Sequence, residues 1–142
     1  MELARQQELV REMVLELVEA APEGWTSMSY RYEYIGGVAA IENLVTFEDG
    51  ETKRKRHPRS VDKKADTLKS EMYQEGRGTW LAMSVLVTGP GKFEARFHHD
   101  RDLGVHPIPP SPESYVFELR KFPRDEDAIS DWLRERIGQA RS

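Results

Sequence analysis

Over residues 2–21, apolar side chains recur at spacings of three and four. Leu3, Leu9, Val10, Met13, Val14, Leu17 and Val18 share one side, and Glu8, Glu12, Glu16 and Glu19 lie elsewhere. This is the pattern of an amphipathic helix, and Pro22 and Gly24 end it. The period then changes to two. Met28, Tyr30, Tyr32 and Tyr34 alternate with Ser27, Ser29, Arg31 and Glu33, which predicts a half-buried strand over 26–35 with the tyrosine stripe in the sheet core. Gly36-Gly37 supplies the positive φ angles of a tight hairpin. The return strand, 38–47, carries Ile41, Val45 and Phe47 on one face. Asp49-Gly50 reads as a second two-residue hairpin turn, followed by a polar edge strand, T-K-R-K-R-H, that ends at Pro58.

The helical period resumes over 61–75, where Val61, Ala65, Leu68 and Met72 form a stripe, Ser60 is the expected N-cap, and Gly76 and Gly78 close the element. T-W-L-A-M-S-V-L-V (79–87) is apolar on both faces and predicts a central strand. T-G-P-G-K turns the chain into an antiparallel strand, K-F-E-A-R-F-H, with Phe93 and Phe97 expected to anchor it in the core. A Gly- and Pro-rich loop follows. Ser111-Pro112-Glu113 is a helix start: a capping hydroxyl, Pro at the first helical position, then an acid that suits the dipole. This helix should stop before Pro123. A last helix is expected over 125–138, with Ala128, Ile129, Trp132, Leu133 and Ile137 on its apolar stripe. The order α-β-β-β-α-β-β-α-α predicts an α+β fold. It is a mainly antiparallel sheet of about five strands, with an N-terminal helix, a middle helix and two C-terminal helices packed on one face.

At 142 residues the chain suits a single domain. It has no cysteine, which excludes disulfides and thiolate metal sites and fits a reducing compartment. The first residues are acidic, without the basic and apolar regions of a signal peptide, and no apolar window is long enough for a membrane helix. A cytoplasmic location is therefore expected. The net charge of −4 is unevenly spread: residues 1–51 carry 3 basic and 11 acidic side chains, whereas 52–64 carry 7 basic and 1 acidic. Such asymmetry can steer a partner of opposite charge.

Candidate chemistry is sparse. R-F-H-H-D (96–100) holds residue types that bind zinc, but side chains alternate along a strand, so His98 and His99 point to opposite faces. A metal site would need His57, His106 or distant carboxylates, and no ligand spacing supports one. The basic run K-R-K-R-H-P-R (53–59) could contact nucleic-acid phosphates through Lys53, Arg54, Lys55 and Arg56. It lacks interleaved aromatics and sits in an acidic chain of pI near 5.6, so a solvated edge strand is the simpler reading. The glycine loops match no phosphate-binding pattern, and no serine lies in a nucleophile elbow. No catalytic residue, metal or cofactor is assigned.

Two segments carry a resemblance. G-x-G-T-W (76–80) precedes a strand, a G-P-G-K-F turn and R-F-H-H-D (96–100). P-x-S-Y-x-x-E-L-x-x-F-P-R (112–124) precedes I-S-D-W-L (129–133). Together they resemble the YezG-like immunity (antitoxin) family of bacterial polymorphic toxin systems, over about 75–137. His99 departs from the pattern, standing where that family more often has an aromatic. The resemblance implies a small cytoplasmic protein that is not an enzyme. Its partner would be a cognate secreted toxin, often a nuclease, encoded by a neighbouring gene and blocked by stoichiometric binding. A toxin nuclease needs a basic cleft for its substrate, and an acidic face can occupy it. Glu42, Glu48, Asp49 and Glu51 around the second hairpin, with Asp100 and Asp102 in the long loop, are the residues expected to form that face.

Overall fold

A computed structural model describes residues 1–101 and 104–140. Its elements run α1 (Leu3–Glu19), β1 (Trp25–Ile35), β2 (Val38–Phe47), β3 (Thr52–Lys55), α2 (Arg59–Glu71), β4 (Ala82–Gly89), β5 (Lys92–His98), α3 (Pro112–Lys121), a 3-10 turn (Glu126–Ala128) and α4 (Asp131–Gly138). The five strands form one sheet in the order β3-β2-β1-β4-β5, and every neighbouring pair is antiparallel. The α+β architecture expected from the periodicities is the one observed.

The sheet is built around the tyrosine strand. Tyr30 and Tyr32 are fully buried and pack with Met28, Val45, Met83, Val85 and Trp80 against the apolar stripes of α1 and α2. Both tyrosine hydroxyls reach α2: Tyr30 donates to Asp62 at 2.7 Å, and Tyr32 donates to Asp66. A buried phenol needs such a partner, because an unpaired hydroxyl in the core costs about 1–3 kcal/mol. A second, smaller cluster joins Ile35, Leu81, Tyr115 and Leu133 where β1 ends. Gly36 makes the close approach there: its φ is +59°, and a Cβ would sit on the backbone carbonyl of Ser114 in α3.

Several boundaries differ from the sequence reading. Helix α2 begins at Arg59 with Pro58 as its N-cap, so Ser60 lies inside the first turn, and the helix ends at Glu71 instead of 75. The expected helix over 125–138 is two pieces. Ser130 adopts extended backbone, and its hydroxyl accepts from the Leu133 amide at 3.4 Å, which makes it the N-cap of α4. The second hairpin loop holds three residues and not two. Gly50 donates to the Phe47 carbonyl at 2.8 Å, and Phe47 donates to Glu51 at 2.9 Å. With Gly50 at φ +86°, this is a turn closed by a glycine bulge.

Two burial expectations also fail. Phe93 is 39% exposed, because β5 is an edge strand and α1 only partly covers it. Glu33, on the polar side of the alternation, is fully buried. The loop after β5 folds over it: the Val105 amide donates to one carboxylate oxygen at 3.0 Å, and His106 Nδ1 lies 2.9 Å from the other. Among the described residues no helix is long and apolar enough to cross a membrane.

Candidate functional site

The β1–β2 register places Trp25 opposite Phe47, so the start of β1 and the β2–β3 turn meet at one end of the sheet. The Glu48 amide donates to the Gly24 carbonyl at 3.1 Å, and an Asp49 carboxylate oxygen accepts from the Glu51 amide at 2.9 Å. The turn is thereby fixed from both sides. Glu48, Asp49 and Glu51 are all exposed. Glu51 is paired with Lys53 at 3.4 Å; among the described residues, no basic side chain lies within ion-pair distance of Glu48 or Asp49. Glu23, in the connection preceding β1, and Glu19, ending α1, are exposed too. The sequence reading did not single out Glu23, which adjoins Gly24 at the turn. The signal was available in the hairpin, because strand arms of equal length bring the chain before Trp25 back beside the second turn.

The other expected acids do not join this end. Glu42 is nearly buried, held between Arg31 at 3.1 Å and Arg54 at 2.7 Å, so its charge is already balanced. Asp100 follows β5 at the opposite end of the sheet and pairs with Arg124 at 2.9 Å. Asp102 lies outside the described residues.

Arg124 organises that opposite end. Its side chain is 2% exposed and donates to the carbonyls of Thr79 at 3.0 Å and His99 at 2.7 Å besides Asp100. Gly78, at φ +83°, leaves room for it: a Cβ would lie 2.5 Å from Arg124 Nε. The segments 76–80, 96–100 and 122–124 therefore close around one guanidinium. His98 and His99 make no shared site. His98 Nδ1 accepts from Arg101 Nε at 3.3 Å, while His99 offers its carbonyl to Arg124. Burial, reinforced by Arg101 and Arg96, holds His98 below the usual histidine pKa; burial and Arg124 do the same for His99. His57 serves α2 instead, bonding through Nε2 to Asp62 at 2.8 Å. Among the described residues no three His, Asp or Glu side chains are grouped to hold a metal ion.

The basic run is divided by the strand it forms. Lys53 and Lys55 share a face with Val45 and Asn43, and both ammonium groups lie over the Phe47 ring, at 6.0 and 5.8 Å. Arg54 points the other way, to Glu42. Lysine stems cover the outermost apolar ring here, a common protection of an edge strand.

Besides Glu33, two further charges are deeply buried, those of Lys69 in α2 and Glu118 in α3. The ammonium donates to Glu118 at 2.8 Å and to the Trp80 carbonyl at 2.6 Å, and the rings of Phe122, Trp80 and Tyr34 surround it at 5.1–5.8 Å. Burial lowers the Lys69 pKa, against the opposing pull of Glu118. The other Glu118 oxygen accepts from the Gly36 amide at 3.0 Å. An open cavity of about 210 Å³ beside it is lined by Tyr32, Tyr34, Asp66 and Lys121. A lysine with lowered pKa is a familiar reactive group, but two of its three protons are already committed and it bridges two helices and a strand end. Its evident work is to join the two apolar clusters. Compared with known protein families and with curated proteins, the chain matches no family model and no curated protein.

Proposed function

We propose that this chain is an immunity protein of the YezG-like kind. In this reading it binds a cognate toxin domain encoded by a neighbouring gene and neutralises it by stoichiometric occlusion, without catalysis. The observation that carries the reading is the fixed acidic turn. Glu48 and Asp49 project from a hairpin held by backbone bonds to Gly24, Phe47 and Glu51. Charges presented on an ordered turn lose little freedom on binding, and they steer a basic partner toward the surface. A nuclease-type toxin has such a basic surface where it holds substrate phosphates.

The convergence of segments 76–80, 96–100 and 122–124 on Arg124 supports the resemblance from a second side. Motifs distant in sequence form one structural unit, as motifs shared through a common fold should. The reading of 53–59 as a nucleic-acid site draws no comparable support, since its charges are split between two faces.

The test is co-expression of this chain with the C-terminal domain of the secreted protein encoded beside it. Growth should be restored by the wild-type chain and lost with E48K/D49K. Unrelieved killing in the presence of the wild-type chain would end the proposal.

A further inference from the structure

The two edges of the sheet are built differently. The β3 edge is four residues long and wholly polar, T-K-R-K, with its lysines folded over Phe47. Short length and lysines are the usual means of keeping an edge unpaired. The β5 edge has neither protection in the same degree. It is seven residues long, K-F-E-A-R-F-H, contains no proline, and among the described residues pairs with β4 alone. Its backbone donors and acceptors on the outer side are an open template. Beside it runs a groove of about 320 Å³ between β5 and α1, in which Phe93, Ala95 and Phe97 face Leu3 and Val10, with Gln6, Gln7 and Arg11 of α1 also lining it.

We propose that this edge pairs with β5 of a second copy of the chain, antiparallel and centred on Ala95. The sequence of the strand is complementary to itself about that residue. A two-fold axis at Ala95 sets Phe93 opposite Phe97 of the partner, and Glu94 opposite Arg96 of the partner, each contact occurring twice. Glu94 and Arg96 already pair within one chain at 2.9 Å on one face, while both remain more than half exposed. In the dimer they exchange partners across the axis. The phenylalanines lie on the face toward α1, so the pairing covers the half-exposed Phe93 and closes the open side of the groove. The product is a continuous ten-stranded sheet with the β3 edges at its two ends, where the lysines stand. This inference does not depend on the immunity reading, because the acidic turn follows β2, and β2 and β5 lie at opposite sides of the sheet.

The experiment is sedimentation of the full chain and three charge variants, each checked for an unchanged circular dichroism spectrum. The wild type should show a concentration-dependent dimer. E94R places Arg opposite Arg, and R96E places Glu opposite Glu; each should raise the dissociation constant about tenfold or more. The double exchange E94R/R96E restores complementarity and should restore the dimer. Mixing the E94R and R96E chains should yield a heterodimer, since every facing pair is then of opposite sign. A wild type that stays monomeric up to about 1 mM would overturn the proposal. So would a dimer indifferent to both single exchanges, which would place the contact elsewhere.

Discussion

Lys69 and Glu118 face each other at 2.8 Å with both side chains 2% exposed, and they tie α2 to α3 across 49 residues of sequence. Removing either partner strands a buried charge, while replacing both with apolar groups need not. K69M alone should cost about 3–5 kcal/mol, whereas K69M/E118L should recover part of that loss, the remainder reflecting the Gly36 amide and Trp80 carbonyl left without partners. Urea unfolding of the three proteins measures the difference. Equal losses for single and double variants would mean that the site depends on the charges themselves.

Arg124 should be nearly as sensitive. R124A leaves the Thr79 and His99 carbonyls without their donor and opens a space beside Gly78. The expected loss is about 2–3 kcal/mol, read as a lowered melting temperature. R124K should rescue little, because one ammonium cannot reproduce the fork that serves two carbonyls and a carboxylate.

Alkaline pH should destabilise the protein through its tyrosines. Burial, then the neighbouring carboxylates Asp62 and Asp66, raises the pKa of Tyr30 and Tyr32 far above the usual value. Above a pH of about 10 the unfolded chain releases these protons and the folded chain keeps them, so stability falls as pH rises, by up to about 1.4 kcal/mol per pH unit for each tyrosine. The lowered pKa of Lys69 acts in the opposite sense: approaching the usual lysine value from below, the unfolded chain holds the extra proton, and stability rises with pH. Y30F/Y32F removes only the tyrosine contribution. Between pH 10 and 11 its loss of stability should be smaller than that of the wild type by roughly 2 kcal/mol.

The loop over Glu33 should depend on that carboxylate. E33A removes the acceptor of the Val105 amide and of His106, and hydrogen exchange at Val105 should speed up by about tenfold or more. Unchanged protection would show that other contacts order this segment.

Much of the fold was legible in the sequence, and particular residues show why. The stripe from Met28 to Tyr34 could be read because a strand repeats every two residues and every second residue was large. Ser111-Pro112-Glu113 could be read because an N-cap is a local device; Ser130 is the same device, hidden by the apolar spacing that runs on through Ile129 and Trp132. Glu33 could not be read. Alternation assigns it to solvent, and only a loop 72 residues later turns that position into the interior. Lys69 was equally hidden, since a lysine in a helix gives no sign that a glutamate from another helix will bury it.

The candidate surface divides in the same way. Glu48, Asp49 and Glu51 could be grouped on one exposed turn because the turn carries a local glycine signal. Glu42 was misjudged, since its neutralisation needs two arginines from the flanking strands. Glu23, next to Gly24, came beside the turn only once the hairpin closed.

The most direct measurement of the proposed function is calorimetric titration of the purified C-terminal domain of the protein encoded beside this chain, the proposed toxin, with the wild-type chain and with E48K/D49K. The account predicts a one-to-one complex for the wild type, weakening as salt is raised, and an affinity lower by about tenfold or more for the variant. No complex with the wild type, or the same affinity for both proteins, would contradict it.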